Sequence, residues 1–321
     1  MSNIKTIHTG GGPVIRRRGN TKKRKIAAQC YLLLLIPIIG YIAFTVYPVL
    51  WTFRWSLFSF KNVTGAGARF VGLDNFVTMF TKDFTYWKVW GNTLLFTVMK
   101  IPLEIALAMV LAVILTNMKR GSGFFRSAYY LPSVVSVAVI GLIFSNMFSH
   151  FGIINGMLQK TGLISENINW FSSKWTSMAT LVTASIWNTF GINVMYLMAA
   201  MTNVPKEVYE SAEIDGATGI KAFFKITLPM IAPVFQTILL LSLVGTLSVN
   251  DLILVLSNGA PSGQTFTVMS YLTRTFVPGF VSSQSSPPLG YGCAMSVLTT
   301  ILFAVISIIY NRASKKLNDI M

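Results

Sequence analysis

The chain has 321 residues, 53% of them hydrophobic and only 11% charged, with a formal net charge of +16. Long apolar runs and a mean hydropathy of +0.61 exclude an ordinary soluble domain and mark an integral membrane protein. The positive charge does not indicate a nucleic-acid partner, because the basic residues concentrate at the flanks of the apolar runs.

Residues 1–26 form a basic tail. Lys5, Arg16, Arg17, Arg18, Lys22, Lys23, Arg24 and Lys25 surround Gly10-Gly11-Gly12-Pro13. Such a segment has too little apolar surface to fold alone, and is expected to stay disordered until it meets anionic lipid headgroups. Residues 27–321 read as one all-α transmembrane domain with six spans, at 27–48, 90–117, 125–148, 176–201, 229–256 and 289–311. Each exceeds the roughly 20 residues that cross a hydrocarbon layer about 30 Å thick. The first span is too long for a signal peptide and no small-residue cleavage site follows it. Cys30 and Cys293 fall in the first and last spans and imply neither a disulfide framework nor a metal site.

Polar residues inside spans are costly and ask for a partner, a cavity or a substrate. In the second span Lys100 and Glu104 stand four residues apart on one helix face, where they can neutralise each other. An unpaired charge at that depth costs about 2.5–3.5 kcal/mol. A self-neutralised pair is therefore the expectation, and a gate element the competing one. The third span holds Ser133 and Ser136. The fourth holds Ser185, Trp187, Asn188, Thr189 and Asn193, and the fifth holds Gln236, Thr237, Ser242, Thr246, Ser248 and Asn250. Amides and hydroxyls match sugar hydroxyls, and an aromatic face covers a sugar's C–H surface. Trp187 beside Asn188 is the best such pair. For any single serine or threonine, hydrogen bonding between spans is the plainer reading. Asp251 stands near the outer end of the fifth span, where solvent reaches it.

Between the fourth and fifth spans, Pro205 is suited to the first turn of a helix and Glu207 to its positive end. That helix runs through about Ala212 and ends near Asp215-Gly216, where glycine permits a left-handed turn. A second short helix is expected from about Ile220 to Leu228. The two form an angled knob exposing Tyr209, Ala212, Phe223 and Phe224, and exposed apolar side chains mark a partner surface. Seventeen of the 26 basic residues fall on the side that carries the tail, this loop, the loop with Lys119, Arg120 and Arg126, and the end with Arg312, Lys315 and Lys316. The positive-inside rule therefore puts both termini and residues 202–228 in the cytoplasm.

No G-x-x-x-x-G-K-[ST] phosphate loop is present, and His8 and His150 lie far apart. No nucleophile has a base within a recognisable motif. The chain is read as a non-catalytic subunit without cofactor or metal, powered by a separate protein.

Glu210-Ser211-Ala212, Gly216, and Ile226-x-Leu228-Pro229 resemble the EAA loop of ABC importer permeases, with Ser211 in place of the middle alanine. The fuller run with Asp215-Gly216-Ala217 and Phe223 is similar to the carbohydrate-uptake branch, the maltose and glycerol-phosphate permease-like proteins. Phe70-Val71-Gly72-Leu73-Asp74-Asn75-Phe76, Asn92-Thr93, Leu131-Pro132, Ile186-Trp187-Asn188 with Gly191, and Gly290-Tyr291-Gly292-Cys293-Ala294 extend the resemblance. In the stretch from Asn250-Asp251 to Pro261, Asn250 replaces a family Phe and Ala260 a Gly. The resemblance implies a permease subunit of an ATP-driven importer in the bacterial cytoplasmic membrane. Its partners would be a second, different permease subunit, two ATPase subunits, an extracellular solute-binding protein and a sugar or oligosaccharide. It assigns ATPase coupling to Tyr209, Glu210, Ser211, Ala212, Asp215, Gly216, Ala217 and Phe223. It assigns the substrate pathway to Ser133, Ser136, Ser185, Trp187, Asn188, Thr189, Ser242, Thr246 and Asn250. A glycerol-phosphate ester or amino acid is the alternative cargo, but a phosphate would call for mid-span arginines and none is present. An ion-coupled secondary transporter would call for internal repeats or midplane carboxylates, and Glu104 is the only acidic residue that deep.

Overall fold

A computed structural model describes residues 19–62, 64–118, 120–277 and 288–318, so most of the basic tail lies outside the described residues. The chain divides into two units, 1–54 and 55–321. The first contains α1 (Gly19–Tyr41), a π-helical turn at Ile42–Val46 and nearly all of α2 (Tyr47–Trp55). The helical stretch thus outruns the expected span at both ends; on the N-terminal side the flanking lysines and arginine are themselves good helix formers. The wide turn stands just before Pro48. There Tyr47 N–H reaches back to Ile42 O, and the proline, with no N–H, makes no demand on the next rung.

The second unit begins with a two-stranded antiparallel ribbon, β1 (Phe58–Ser59) and β2 (Arg69–Phe70), pairing Phe58 with Phe70. Then come α3 (Asp74–Thr81), α4 (Phe84–Asn117), α5 (Ser122–Val134), α6 (Val137–Met147), α7 (Ile153–Lys160), α8 (Lys174–Thr202) and α9 (Lys206–Ile214). After them follow α10 (Gly219–Ala222), a π-helical turn at Phe223–Thr227, α11 (Leu228–Leu247), α12 (Asp251–Leu256), α13 (Val268–Phe276) and α14 (Leu289–Asn318). Asp83 caps α4 by accepting from Tyr86 N–H at 3.0 Å, and its other oxygen accepts from Tyr291 of α14 at 2.7 Å.

The core of this unit is built on α4 and α8. Ile105, Ala108, Ala112 and Leu115 of α4 meet Val194, Leu197 and Met201 of α8 and Ile231 and Ile238 of α11. The alanines let the helices come close. At Gly191 the approach is closer still, since a Cβ there would collide with the Tyr129 carbonyl of α5. Asn92 donates to Gln264 O at 2.8 Å and Phe266 O at 3.0 Å, while Thr93 accepts from Val268 N–H at 2.9 Å. This adjacent pair fastens the loop after α12 to α4. Asn155 is equally structural: it donates to His150 O and Ile168 O and accepts from the Trp170 indole, so it closes the α7 loop on itself.

Among the described residues, five helical stretches are long and apolar enough to cross a membrane, and a sixth if α5 and α6 count as one bent span. Three expectations need correction. The third span is not continuous, because α5 and α6 meet at 95°. Pro132 stands near the end of α5, and Val135 and Ser136 are extended; hydropathy reads through such a bend because apolar composition carries no direction. The fifth span ends at Leu247, so Ser248–Asn250 form a break and Asp251 opens α12. The second short helix of the 202–228 loop is not separate. It runs through the π turn before Pro229 into α11, giving one helix from Gly219 to Leu247.

Candidate functional site

A cavity of about 470 Å³ opens among α4, α8, α11 and the break before α12. Ser185, Asn188 and Thr189 line it from α8, together with Ile192, Asn193 and Tyr196 one and two turns further on. These positions recur every three or four residues and form a single stripe along the helix. Ser242 and Gly245 of α11 face them, with Ser248, Asn250 and Asp251 at the break. Asn250, the residue before α12, takes φ −135°, ψ −70°. Asn250 Nδ2 donates to Asp251 Oδ1 at 2.9 Å.

Lys100 and Glu104 of α4 form part of the cavity wall. Both are almost fully buried, and Lys100 Nζ lies 3.2 Å from Glu104 Oε2 as an ion pair. Glu104 Oε1 accepts from Thr189 Oγ1 at 2.6 Å and from Asn193 Nδ2 at 2.9 Å. Asn193 Nδ2 also donates to Ser242 Oγ at 3.1 Å, and Lys100 Nζ donates to Thr246 Oγ1 at 3.1 Å. The pair is therefore the centre of a polar network that ties α4 to α8 and α11. Burial of two charges is sustained because the Lys100 ammonium and Glu104 Oε1 find further polar partners.

The expected pathway residues separate into groups. Ser185, Asn188, Thr189, Ser242 and Asn250 line the cavity. Thr246 is buried and reaches it only through Lys100. Trp187 does not join Asn188 there. One residue along a helix is a rotation of about 100°, and the Trp187 ring faces Phe144 of α6 with centroids 5.6 Å apart. Ser133 donates to Tyr130 O at 2.6 Å within α5, and Ser136 stands at the bend; neither is in the cavity wall. Tyr196, Ser248, Asp251, Asn193 and the ion pair belong to the wall but not to the expected pathway. For Asn193 and Tyr196 the signal was present, since both continue the Ser185–Asn188/Thr189 stripe.

The second candidate surface is the segment from α9 to α11. Helix α9 ends at Ile214, and Gly216 then takes φ 71°, the left-handed conformation expected of it. Its turn is closed by Gly216 N–H to Glu213 O and Ala217 N–H to Ala212 O at 2.8 Å. Glu210, Ser211 and Asp215 are exposed, whereas Ala217 is half-buried. The expected exposure of Ala212 is corrected, since it is only 7% exposed. Tyr209 and Phe223 are half-buried against the α4–α8–α11 core, and Tyr209 OH is 3.0 Å from Thr227 Oγ1. These side chains fasten the segment instead of displaying it. The exposed apolar side chains are Ile214 at 88%, Ile220 at 79% and Phe224 at 60%. The short loop between α9 and α10 separates the first two.

Over residues 104–319 the sequence matches the family described as binding-protein-dependent transport system inner membrane component. It is 31% identical to the lactose transport system permease protein LacF of Rhizobium radiobacter, over 88% of this chain and 93% of that one. It is also 31% identical to the arabinooligosaccharides transport system permease protein AraP of Bacillus subtilis strain 168, over 88% and 87%. The trehalose/maltose transport system permease protein MalF of Thermococcus litoralis is 28% identical over 92% and 97%. Among solved structures, a bacterial ABC transporter involved in the import of the acidic polysaccharide alginate superposes with a TM-score of 0.77 at 22% identity, covering 92% of this chain and 98% of that one. That likeness concerns the fold. The chain therefore belongs to the family of binding-protein-dependent transport system inner membrane components, as a permease subunit of the ABC-importer type.

Proposed function

We infer that this chain carries a sugar or short oligosaccharide across the bacterial cytoplasmic membrane, as one permease subunit of an ATP-driven importer. The observation that carries the reading is the cavity of about 470 Å³, walled by amides and hydroxyls from helices long enough to cross a bilayer. Polar side chains so placed are costly in lipid and are explained by a hydrophilic passenger. In this reading α5 and α6 form one bent span, giving six, and both termini and α9 face the cytoplasm. A second permease subunit closes the other side of the pathway. A solute-binding protein delivers the sugar from outside. Two ATPase subunits dock on the surface around Glu210, Asp215, Ile214, Ile220 and Phe224.

The chemistry of the power stroke belongs to the ATPase. This chain contributes a lever and a gate. Tyr209 and Phe223 fix the α9–α11 segment to the α4–α8–α11 core, so a push on α9 is passed to helices that wall the cavity. Rigid rocking of these helices then switches access from one side of the membrane to the other. The test is ATP hydrolysis by the purified four-subunit complex in nanodiscs with its binding protein. A neutral oligosaccharide that accumulates in cells expressing the complex should stimulate hydrolysis. Stimulation by an amino acid or a phosphate ester, with none by any sugar, would replace the cargo assignment.

A further inference from the structure

Several donors of the cavity wall are turned toward protein partners. Asn188 Nδ2 donates to Pro132 O at 3.0 Å, Asn193 Nδ2 and Thr189 Oγ1 donate to Glu104 Oε1, and Asn250 Nδ2 donates to Asp251. Ser242 Oγ accepts from Asn193 and keeps its own proton, and Asn188 and Asn250 each keep a second amide hydrogen. Glu104 Oε2 is buried behind the Lys100 ion pair, and Asn250 Oδ1 is buried as well. The Asp251 carboxylate is exposed at the same cavity. Ser185 and Ser248 and the Tyr196 phenol can serve in either sense. The charges of the wall have a definite sign. Lys100 is the single cation in the wall, and Glu104 already neutralises it, so Asp251 leaves the wall with a net negative charge.

Resting on the sugar-permease reading above, we propose that this cavity selects uncharged sugars against acidic ones, with the exposed carboxylate of Asp251 as the specificity-determining acceptor. A sugar hydroxyl can donate its proton to that carboxylate. A uronate or phosphate brings acceptors only. It would meet acceptors of like sign, with no free cation to receive it, and its desolvation would go uncompensated. Freeing Lys100 for such a ligand would strand Glu104 in the core. The fold itself does not set this preference, since the superposable alginate importer is described with an acidic polysaccharide.

The experiment is saturation-transfer difference NMR on the detergent-solubilised importer, both permease subunits with their ATPase. The probes are neutral di- and trisaccharides of glucose, galactose and arabinose, set against di- and trimers of galacturonate and mannuronate, all at low ionic strength. The expected result is transfer to at least one neutral sugar, with the uronates binding at least about tenfold more weakly. In an Asp251→Lys complex of normal yield, that gap should narrow to about threefold or less. Uronates binding as tightly as the neutral sugars would overturn the inference while leaving the sugar reading in place. An unchanged gap in Asp251→Lys would remove Asp251 from the specificity set and overturn the proposal as stated. An assembled complex that binds no sugar of either kind would overturn the sugar reading, and this inference with it.

Discussion

Glu104 has three polar partners, with one oxygen serving Thr189 and Asn193 and the other Lys100. Removing one charge of a buried pair costs more than removing both, because the survivor stays desolvated without a partner. Glu104→Gln alone should therefore destabilise the complex by about 3 kcal/mol. The double change Lys100→Met with Glu104→Gln should recover most of that loss. A double-mutant cycle on thermal unfolding and complex yield checks this, and simple additivity would show that the pair is not coupled. Asn188 makes a smaller contribution. Asn188→Ala removes the bond to Pro132 O, worth about 1 kcal/mol, and deletes a polar atom from the cavity, so the KM for uptake should rise at normal complex yield. Trp187→Ala should instead loosen the packing against Phe144 and lower stability without that rise. At this scale the pairing of Lys100 with Glu104 was legible, because it depends on local helix geometry. Their bonds to Thr189, Asn193 and Thr246 join positions 85 to 146 residues apart, and no local periodicity records them. The Trp187–Asn188 pairing was misleading because neighbours in sequence are not neighbours around a helix.

Helices α9 and α10 are joined by a turn that uses the left-handed backbone of Gly216 and Gly219. At φ 71° Gly216 is where a β-branched residue is most strained, and Gly216→Val should cost about 1–2 kcal/mol locally. No side chain crowds the position, so the effect should be confined to the turn. The complex should assemble, while ATP hydrolysis and uptake become uncoupled. Normal sugar uptake per ATP hydrolysed in that variant would show that the turn does not transmit force. Gly191 is the opposite case. Its backbone is helical, but a side chain would strike Tyr129 O of α5. Gly191→Val should therefore separate α5 from α8 and cost about 1–3 kcal/mol or more through overpacking, read as a lowered Tm and loss of folded complex. The turn at Gly216 was legible because only glycine takes that conformation readily. The 95° bend between α5 and α6 and the break at Ser248–Asn250 were not, since averaged hydropathy stays high across the few polar residues there and records no direction. Each π turn precedes a proline by two residues, at Pro48 and Pro229. Proline therefore marked the place, but not the kind of irregularity.

On the scale of the whole molecule, long apolar helices supply the frame and a few polar residues wall the cavity. Membrane residence and helical class follow from composition, because a bilayer admits few other solutions for the backbone. The presence of polar groups on the fourth and fifth spans was also legible. Their convergence on one cavity with α4 was not, because it depends on how α4 packs against α8 through Ala108 and Ala112. The central claim is that this permease imports sugar at the expense of ATP, and that no ion gradient acts through Glu104. It is tested most directly by sugar accumulation in proteoliposomes that contain the complete importer, with binding protein and sugar outside and ATP inside. Accumulation should require ATP, persist when a protonophore and ionophores collapse every ion gradient, and stop when the ATPase is made hydrolysis-deficient. Accumulation that continues with the inactive ATPase and is abolished by the protonophore would contradict the account.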